Sequence, residues 1–423
     1  MHPVDVDTKQ RSKDTAVLEH KWRTVLLLSF AELLVMGLWF SASAVTPTLA
    51  NVWGLSGGQV AWLTMAVTVG FVVGALFSAL TNLADIYLPR YVFFISAMIG
   101  AAATALIPLS GGFLPAVVLR LLTGFALAGV YPVGMKIMAT WMKEDRGLGI
   151  GLLTGALAIG TASPHLIRAL GGIDNWQFVL YVAAALAAAG GLIAVWIGEL
   201  GPYRSAPAVF NWRYAGDILR DRGLRLANFG YLGHMWELFS MWTWISLFLL
   251  ASYQAAGQEM FMGLPVETAA ALMTFFVIAA SGPSSLLAGW LADRLGRTRI
   301  TIISLAVSGS CALLIGFFFG LSPWLVSLLA LVWGFAIAPD SAQYSASISE
   351  LSDPEYMGTA LTLQTSMGFL LTLITVRLVP TLVDSVGWQW AFAVLALGPL
   401  FGIWAMRQLQ QSPEASKLAG GRG

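Results

Sequence analysis

His234-Met-Trp-Glu237-Leu-Phe-Ser-Met241-Trp-Thr-Trp244-Ile-Ser246 decides the fold, because Glu32-Leu-Leu-Val-Met36-Gly-Leu-Trp39-Phe-Ser41 repeats its frame. From each Glu onward, Glu, Leu, Met, Trp and Ser recur at five of ten positions. Met stands four and Trp seven residues beyond each Glu, so the three share one helix face. Both stretches lie in apolar runs, where an ionisable side chain is costly. One buried acid carried twice on the same kind of helix implies two matched halves, and the two acids read as the centre of a transport site.

Composition supports the same setting. The chain has 423 residues, 57% hydrophobic and 11% charged, against about 25% charged in a soluble domain. Apolar runs of about 20 residues recur, long enough to cross a hydrocarbon core as helices. Net charge is +1 and no basic tract joins the aromatics, so a nucleic-acid partner is not expected. The single cysteine, Cys311, excludes an internal disulfide, and no metal-ligand spacing occurs; neither a metal nor a cofactor is implied. The first apolar run ends in small residues, as a cleaved leader does. Glu32 interrupts it, however, and its frame recurs at 237–246, so a retained helix is expected.

The pattern predicts an all-α membrane protein of twelve spans, near 24–46, 60–81, 91–109, 114–138, 147–169, 178–198, 227–250, 267–291, 300–319, 324–347, 357–380 and 389–407. They divide into a tail at 1–23, a six-helix bundle at 24–198, a linker at 199–226, a second bundle at 227–407 and a tail at 408–423. With a cytoplasmic N-terminus, nineteen of the 23 lysines and arginines fall on the inside, and the outside connections hold none. The positive-inside rule therefore places both tails in the cytoplasm, as in a bacterial inner membrane.

The repeat continues. Leu83-Ala-Asp85 matches Leu291-Ala-Asp293, Gly124-Phe-Ala-Leu-Ala128 matches Gly334-Phe-Ala-Ile-Ala338, and Trp176-Gln177 matches Trp388-Gln389. Two halves in the same topology are a parallel repeat about an axis along the membrane normal, and such transporters bind substrate between the halves. Gly289-Trp-Leu-Ala-Asp293-Arg-Leu-Gly296-Arg297-Thr-Arg299 resembles the loop between helices 2 and 3 of the major facilitator superfamily, here in the second half. Asn82-Leu-Ala-Asp85-Ile-Tyr-Leu-Pro-Arg90 keeps the acid and one arginine of that loop without its glycines, and Arg120-Leu-Leu-Thr-Gly124 is similar to the family's fourth-helix pattern. The resemblance implies two bundles rocking about a central cavity lined by helices 1, 4, 7 and 10. It would place Glu32, Arg120, Glu237 and Asp340 on that lining. It also links Arg120 to proton transfer. Ser163-Pro164-His165 departs from the family's antiporter pattern, which argues against an exchanger.

Glu32 and Glu237 lie roughly 8–10 residues inside their spans, about 12–15 Å along the helix. A charge there costs at least ~2.5–3.5 kcal/mol unless it is paired or wet. A carboxylate removed from water can exchange a proton near neutral pH, which suits proton coupling; a static helix–helix hydrogen bond is the alternative. His234, three residues before Glu237, is a third proton candidate. Arg120 needs a partner, as a substrate anchor or as the neighbour of an acid. Asp340 heads a polar stripe on span 10, to which Tyr131 and Gln364 are added as cavity residues. Trp39, Trp236 and Trp244 form candidate aromatic walls for a ring-bearing substrate. Arg377 is either a further substrate contact or a snorkelling cation paired with Asp384. Gly147, Gly151 and Gly155 permit close helix contact. Asp85, Arg90, Asp293 and Arg297 read as gate residues, with Asp293 expected near the amides of Gly147–Leu148 and Asp85 near those of Gly358–Thr359.

These features describe a monomeric secondary transporter that carries a small organic solute by alternating access, with protons and in the direction of uptake. A vitamin-like or aromatic-acid substrate fits the tryptophans. Efflux of drugs or metabolites is the first alternative. An inorganic anion porter and a non-transporting sensor rank below it, and nothing points to an enzyme.

Overall fold

Among the described residues, twelve helices are long and apolar enough to cross a membrane. They are span 1 (His20–Ala44), span 2 (Gly57–Thr81), span 3 (Pro89–Leu109), span 4 (Phe113–Trp141), span 5 (Leu148–Gly171) and span 6 (Trp176–Val195) in the first half. The second half holds span 7 (Arg222–Ala255), span 8 (Val266–Leu295), span 9 (Arg297–Phe318), span 10 (Pro323–Leu351), span 11 (Met357–Val386) and span 12 (Trp388–Gln410). The structure is a computed structural model that describes residues 4–142, 146–171, 173–197, 200–203, 214, 216, 218, 220–353 and 355–423. Side chains at 4–19, 84–85 and 146–147, and most of the expected linker, lie outside that description. An even number of spans returns the chain to the side on which span 1 begins, here called the termini face.

Local chemistry explains where spans begin and break. Ser56 and Gln59 form a reciprocal capping box at the start of span 2. Asn175 caps span 6, and Asp221 caps span 7, which therefore starts at Arg222 rather than near 227. Span 4 is two helices, Phe113–Leu127 and Tyr131–Trp141, and span 10 is Pro323–Ile337 followed by Ser341–Leu351. The breaks follow the matched Gly-Phe-Ala motifs and precede or contain Pro132 and Pro339, which offer no N–H to the preceding turn. Pro47 does the same beyond span 1, where a short helix, Thr46–Trp53, follows. Between spans 7 and 8, Met262 and Gly263 take left-handed backbone angles and turn a two-stranded ribbon, Met260–Phe261 against Leu264–Pro265.

The halves meet along two seams. On one, span 5 runs antiparallel to span 8. A Cβ added at Gly151 would lie 3.1 Å from the Ser285 carbonyl oxygen, and one at Gly155 would lie 3.1 Å from that of Gly282. Farther from the termini face, the buried Arg168 is within electrostatic reach of Glu267 on span 8 and of Asp174. On the other seam, Gly57 and Gly58 of span 2 lie against Pro380 and Arg377 of span 11. Gly151 and Gly155, expected to serve helix packing, thus lie on the interface between the halves. Gly155→Leu is expected to wedge this seam: transport falls at least tenfold, and a cysteine placed at Ser285 in a Cys311→Ser background becomes reactive to an impermeant thiol reagent. Wild-type transport rates in Gly155→Leu would show that the seam need not close.

Candidate substrate and proton sites

Midway along the spans, rings from both halves close on one another. Trp39 of span 1 lies 5.0 Å from Phe71 of span 2, 5.5 Å from Phe239 of span 7 and 5.3 Å from Phe369 of span 11, centroid to centroid. Phe71 and Phe369 are 4.8 Å apart. Phe40 and Trp242 extend the cluster, each contacting Phe239 and one another. The indole N–H groups of Trp39 and Trp242 are buried without partners among the described residues. Such rings attract one another in tilted arrangements at these spacings, so the cluster seals the interface without a covalent or ionic link. Of these rings, the sequence singled out Trp39. Phenylalanines facing lipid and facing a partner half look alike in a hydropathy pattern.

Arg120 is fully buried behind this plug. Its Nε donates to the Leu63 carbonyl at 3.0 Å, and Nη1 to the Leu38 carbonyl at 2.8 Å and the Ser41 hydroxyl at 3.2 Å; Nη2 donates to the carbonyl of Trp39. No carboxylate lies within ion-pair distance of it among the described residues. Its donors are occupied by main chain, so in this state it anchors the Trp39 turn of span 1 rather than reaching an acid or the plug.

The acids are placed differently from the expected common cleft. Glu237 is buried inside the second half, where Ser308 of span 9 donates to Oε2 at 2.8 Å and Trp333 of span 10 to Oε1 at 2.6 Å. Glu32 is buried inside the first half, its carboxylate oxygens without hydrogen-bond partners among the described residues, pressed against Gly134 of span 4 and near Tyr131. A Cβ at Gly134 would lie 2.7 Å from Glu32 Oε2, so a side chain there would make the Glu32 carboxylate shift. Each acid faces helices of its own half because spans 4, 9 and 10 supply the nearest polar groups and small residues.

His234 does not pair with Glu237. Its Nδ1 lies 3.0 Å from Asp340 Oδ1, at the start of the second helix of span 10, and both side chains are buried. Tyr344 donates to Asp340 Oδ2 at 3.2 Å, the Tyr231 and Tyr344 rings flank His234, and its Nε2 has no partner among the described residues. Three residues of helix turn His234 about 60° away from Glu237, enough to send one side chain to Asp340 and the other to Trp333. The charge of Asp340 still reaches Glu237. Gln364 is fully buried, and neither end of its amide has a partner among the described residues.

The remaining candidates have partners that the sequence did not name. Trp236 donates to the Val394 carbonyl of span 12 at 3.1 Å and so packs within its own half. Trp244 donates to the Val376 carbonyl of span 11 at 3.0 Å. Arg377 is exposed; its Nη1 lies 3.5 Å from Thr381 Oγ1, beside Gly58 of the other half, and Asp384 is not its partner. Arg90 donates to the Ile197 carbonyl at 3.3 Å. The Asp293 carboxylate lies 3.4 Å from Arg297, one turn on; Gly147, at its expected contact, lies outside the described side chains. Arg297 forks onto Glu350 at 2.8 and 2.6 Å and donates to Gln343 at 3.0 Å, while the chain beyond span 12 covers this network through the Ala419 amide and Arg422. The expected contact of Asp85 lies outside the described side chains.

A family model described as Major Facilitator Superfamily matches residues 28–268 and 262–423. An uncharacterized transporter, YgaY, of Escherichia coli O157:H7 is 28% identical over 226 residues, covering 49% of this chain; the match spans only 55% of that relative's length. A gallate transporter of Pseudomonas putida is 25% identical over 366 residues, covering 74% of this chain and 75% of its own. The xylose transporter XylE of Escherichia coli, in a partially occluded inward-open conformation, superposes with a TM-score of 0.71 at 13% identity, covering 92% of this chain and 98% of its own.

Proposed function

The chain belongs to the Major Facilitator Superfamily and is a multi-pass secondary transporter; from that premise we propose that it takes up a small aromatic acid together with protons. The observation that carries the substrate class is the plug: rings of both halves stack where alternating access must open and close. A flat ring inserted there exchanges ring–ring contacts for ring–ligand contacts of similar strength, so the loaded protein closes as readily as the empty one. The gallate transporter among the relatives, at low identity, points to the same class.

Coupling falls to the His234–Asp340 pair. It bridges spans 7 and 10, whose relative position changes as a half rearranges around substrate, and it lies near the buried Glu237. A proton shared by the pair neutralises a charge that is costly in an apolar interior. Its loss when the site wets would favour the open state. Glu32 is the proposed first-half counterpart. The Lys and Arg distribution supports a cytoplasmic termini face.

The test is reconstitution. Purified protein in liposomes should accumulate radiolabelled gallate or benzoate when the interior is made alkaline, and collapse of the gradient by a protonophore should release it. No uptake of any aromatic acid, with sugars or nucleosides taken up instead, would reject the substrate class.

A further inference from the structure

A crevice opens between the halves beyond the plug, on the side away from the termini face. It is lined from span 1, the short helix after it, span 2 and span 7, and its enclosed space, about 10 Å³, has room for one water but not for a ring compound as it stands. Its lining carries five hydroxyls, Ser43, Thr46, Thr64, Thr243 and Ser246, beside Trp244, and no charged group. Three of these sit one helical turn beyond a plug ring: Ser43 after Trp39, Thr243 after Phe239 and Ser246 after Trp242. Ser43 and Thr64 are bonded to each other at 2.6 Å, Thr46 donates to the Ala42 carbonyl of span 1, and Thr243 donates to the Phe239 carbonyl of its own helix. Ser246 alone has no protein partner among the described residues, and its side chain is more than nine-tenths buried against the crevice.

We infer that this crevice is a hydroxyl-recognising subsite, which reads phenolic hydroxyls on a ring whose face rests on the plug. The inference rests on the aromatic-acid reading above and adds an orientation and a specificity to it. An uncharged, hydrogen-bonding rim suits hydroxyls and leaves a carboxylate without a counter-charge, so the acid group points away from the crevice. Hydroxyl side chains suit the task because they rotate between their own backbone and a ligand. A ligand hydroxyl reaching Ser246 finds an atom with no competing protein bond, and the Ser43–Thr64 pair offers a second site.

The experiment measures binding of benzoate, 4-hydroxybenzoate, 3,4-dihydroxybenzoate and 3,4,5-trihydroxybenzoate to the purified full chain by calorimetry. Wild type should tighten along the series. In Ser246→Ala and in Thr64→Val, the ratio of benzoate to trihydroxybenzoate Kd should fall about tenfold, one hydrogen bond's worth; Ser246→Thr should keep it. Glucose, which offers hydroxyls without an aromatic face, should not compete. An unchanged ratio in both variants, or displacement of trihydroxybenzoate by glucose, would overturn the subsite while leaving an aromatic-acid transporter standing. Failure of all four acids to bind wild type would remove the substrate class, and the subsite with it.

Discussion

Asp340→Asn is expected to abolish accumulation driven by a pH gradient while solute counterflow remains measurable. The substitution keeps the size of the side chain and leaves a carbonyl oxygen to accept from Tyr344, now 3.2 Å away. It removes the charge that faces His234 Nδ1 at 3.0 Å, so the pair no longer has a proton to exchange. A symporter without its proton site equilibrates its solute instead of concentrating it, and the accumulation ratio should fall to about one. His234→Gln should behave alike, because it removes the other member. Glu237→Gln should act chiefly on stability. The Glu237 oxygens accept from Ser308 and Trp333, and an amide can accept at only one of those positions. Full gradient-driven accumulation by both Asp340→Asn and His234→Gln would remove the pair from coupling.

Phe369→Ala is expected to weaken aromatic-acid binding about a hundredfold. Phe369 touches Trp39, Phe71 and Phe239, with centroids 5.3, 4.8 and 5.0 Å away. Ring pairs are worth about 0.5–1.5 kcal/mol each beyond burial. Losing the ring takes one wall from the ligand and leaves the empty plug open, so a proton leak should accompany the loss of affinity. Phe369→Tyr keeps the wall and should bind within a few-fold of wild type. Equal affinities in Phe369→Ala and wild type would place the substrate elsewhere in the molecule.

Some of the site was legible in sequence and some was not, for reasons that differ residue by residue. Asp340 and His234 stood out because polar groups in an apolar run must face protein or water. Their pairing was hidden, since it depends on how spans 7 and 10 are rotated. Arg120 announced a need for partners; that these would be carbonyls of spans 1 and 2 followed only from packing. Phe71 and Phe369 gave no sign, because a phenylalanine facing lipid and one facing the other half cost the same in a hydropathy scale.

By itself the sequence determined the twelve apolar spans, their division into two matched halves, and the family; the breaks of spans 4 and 10, which it gave as continuous, came from the structure. Each of the former is written in local hydropathy or repeated spacing. Only the tertiary structure decided which side chains meet across the seam and which acids are shut within a half. Helix rotation and tilt in a bilayer are set by side-chain packing between helices, and those contacts join residues hundreds of positions apart, beyond the reach of any periodicity along the chain.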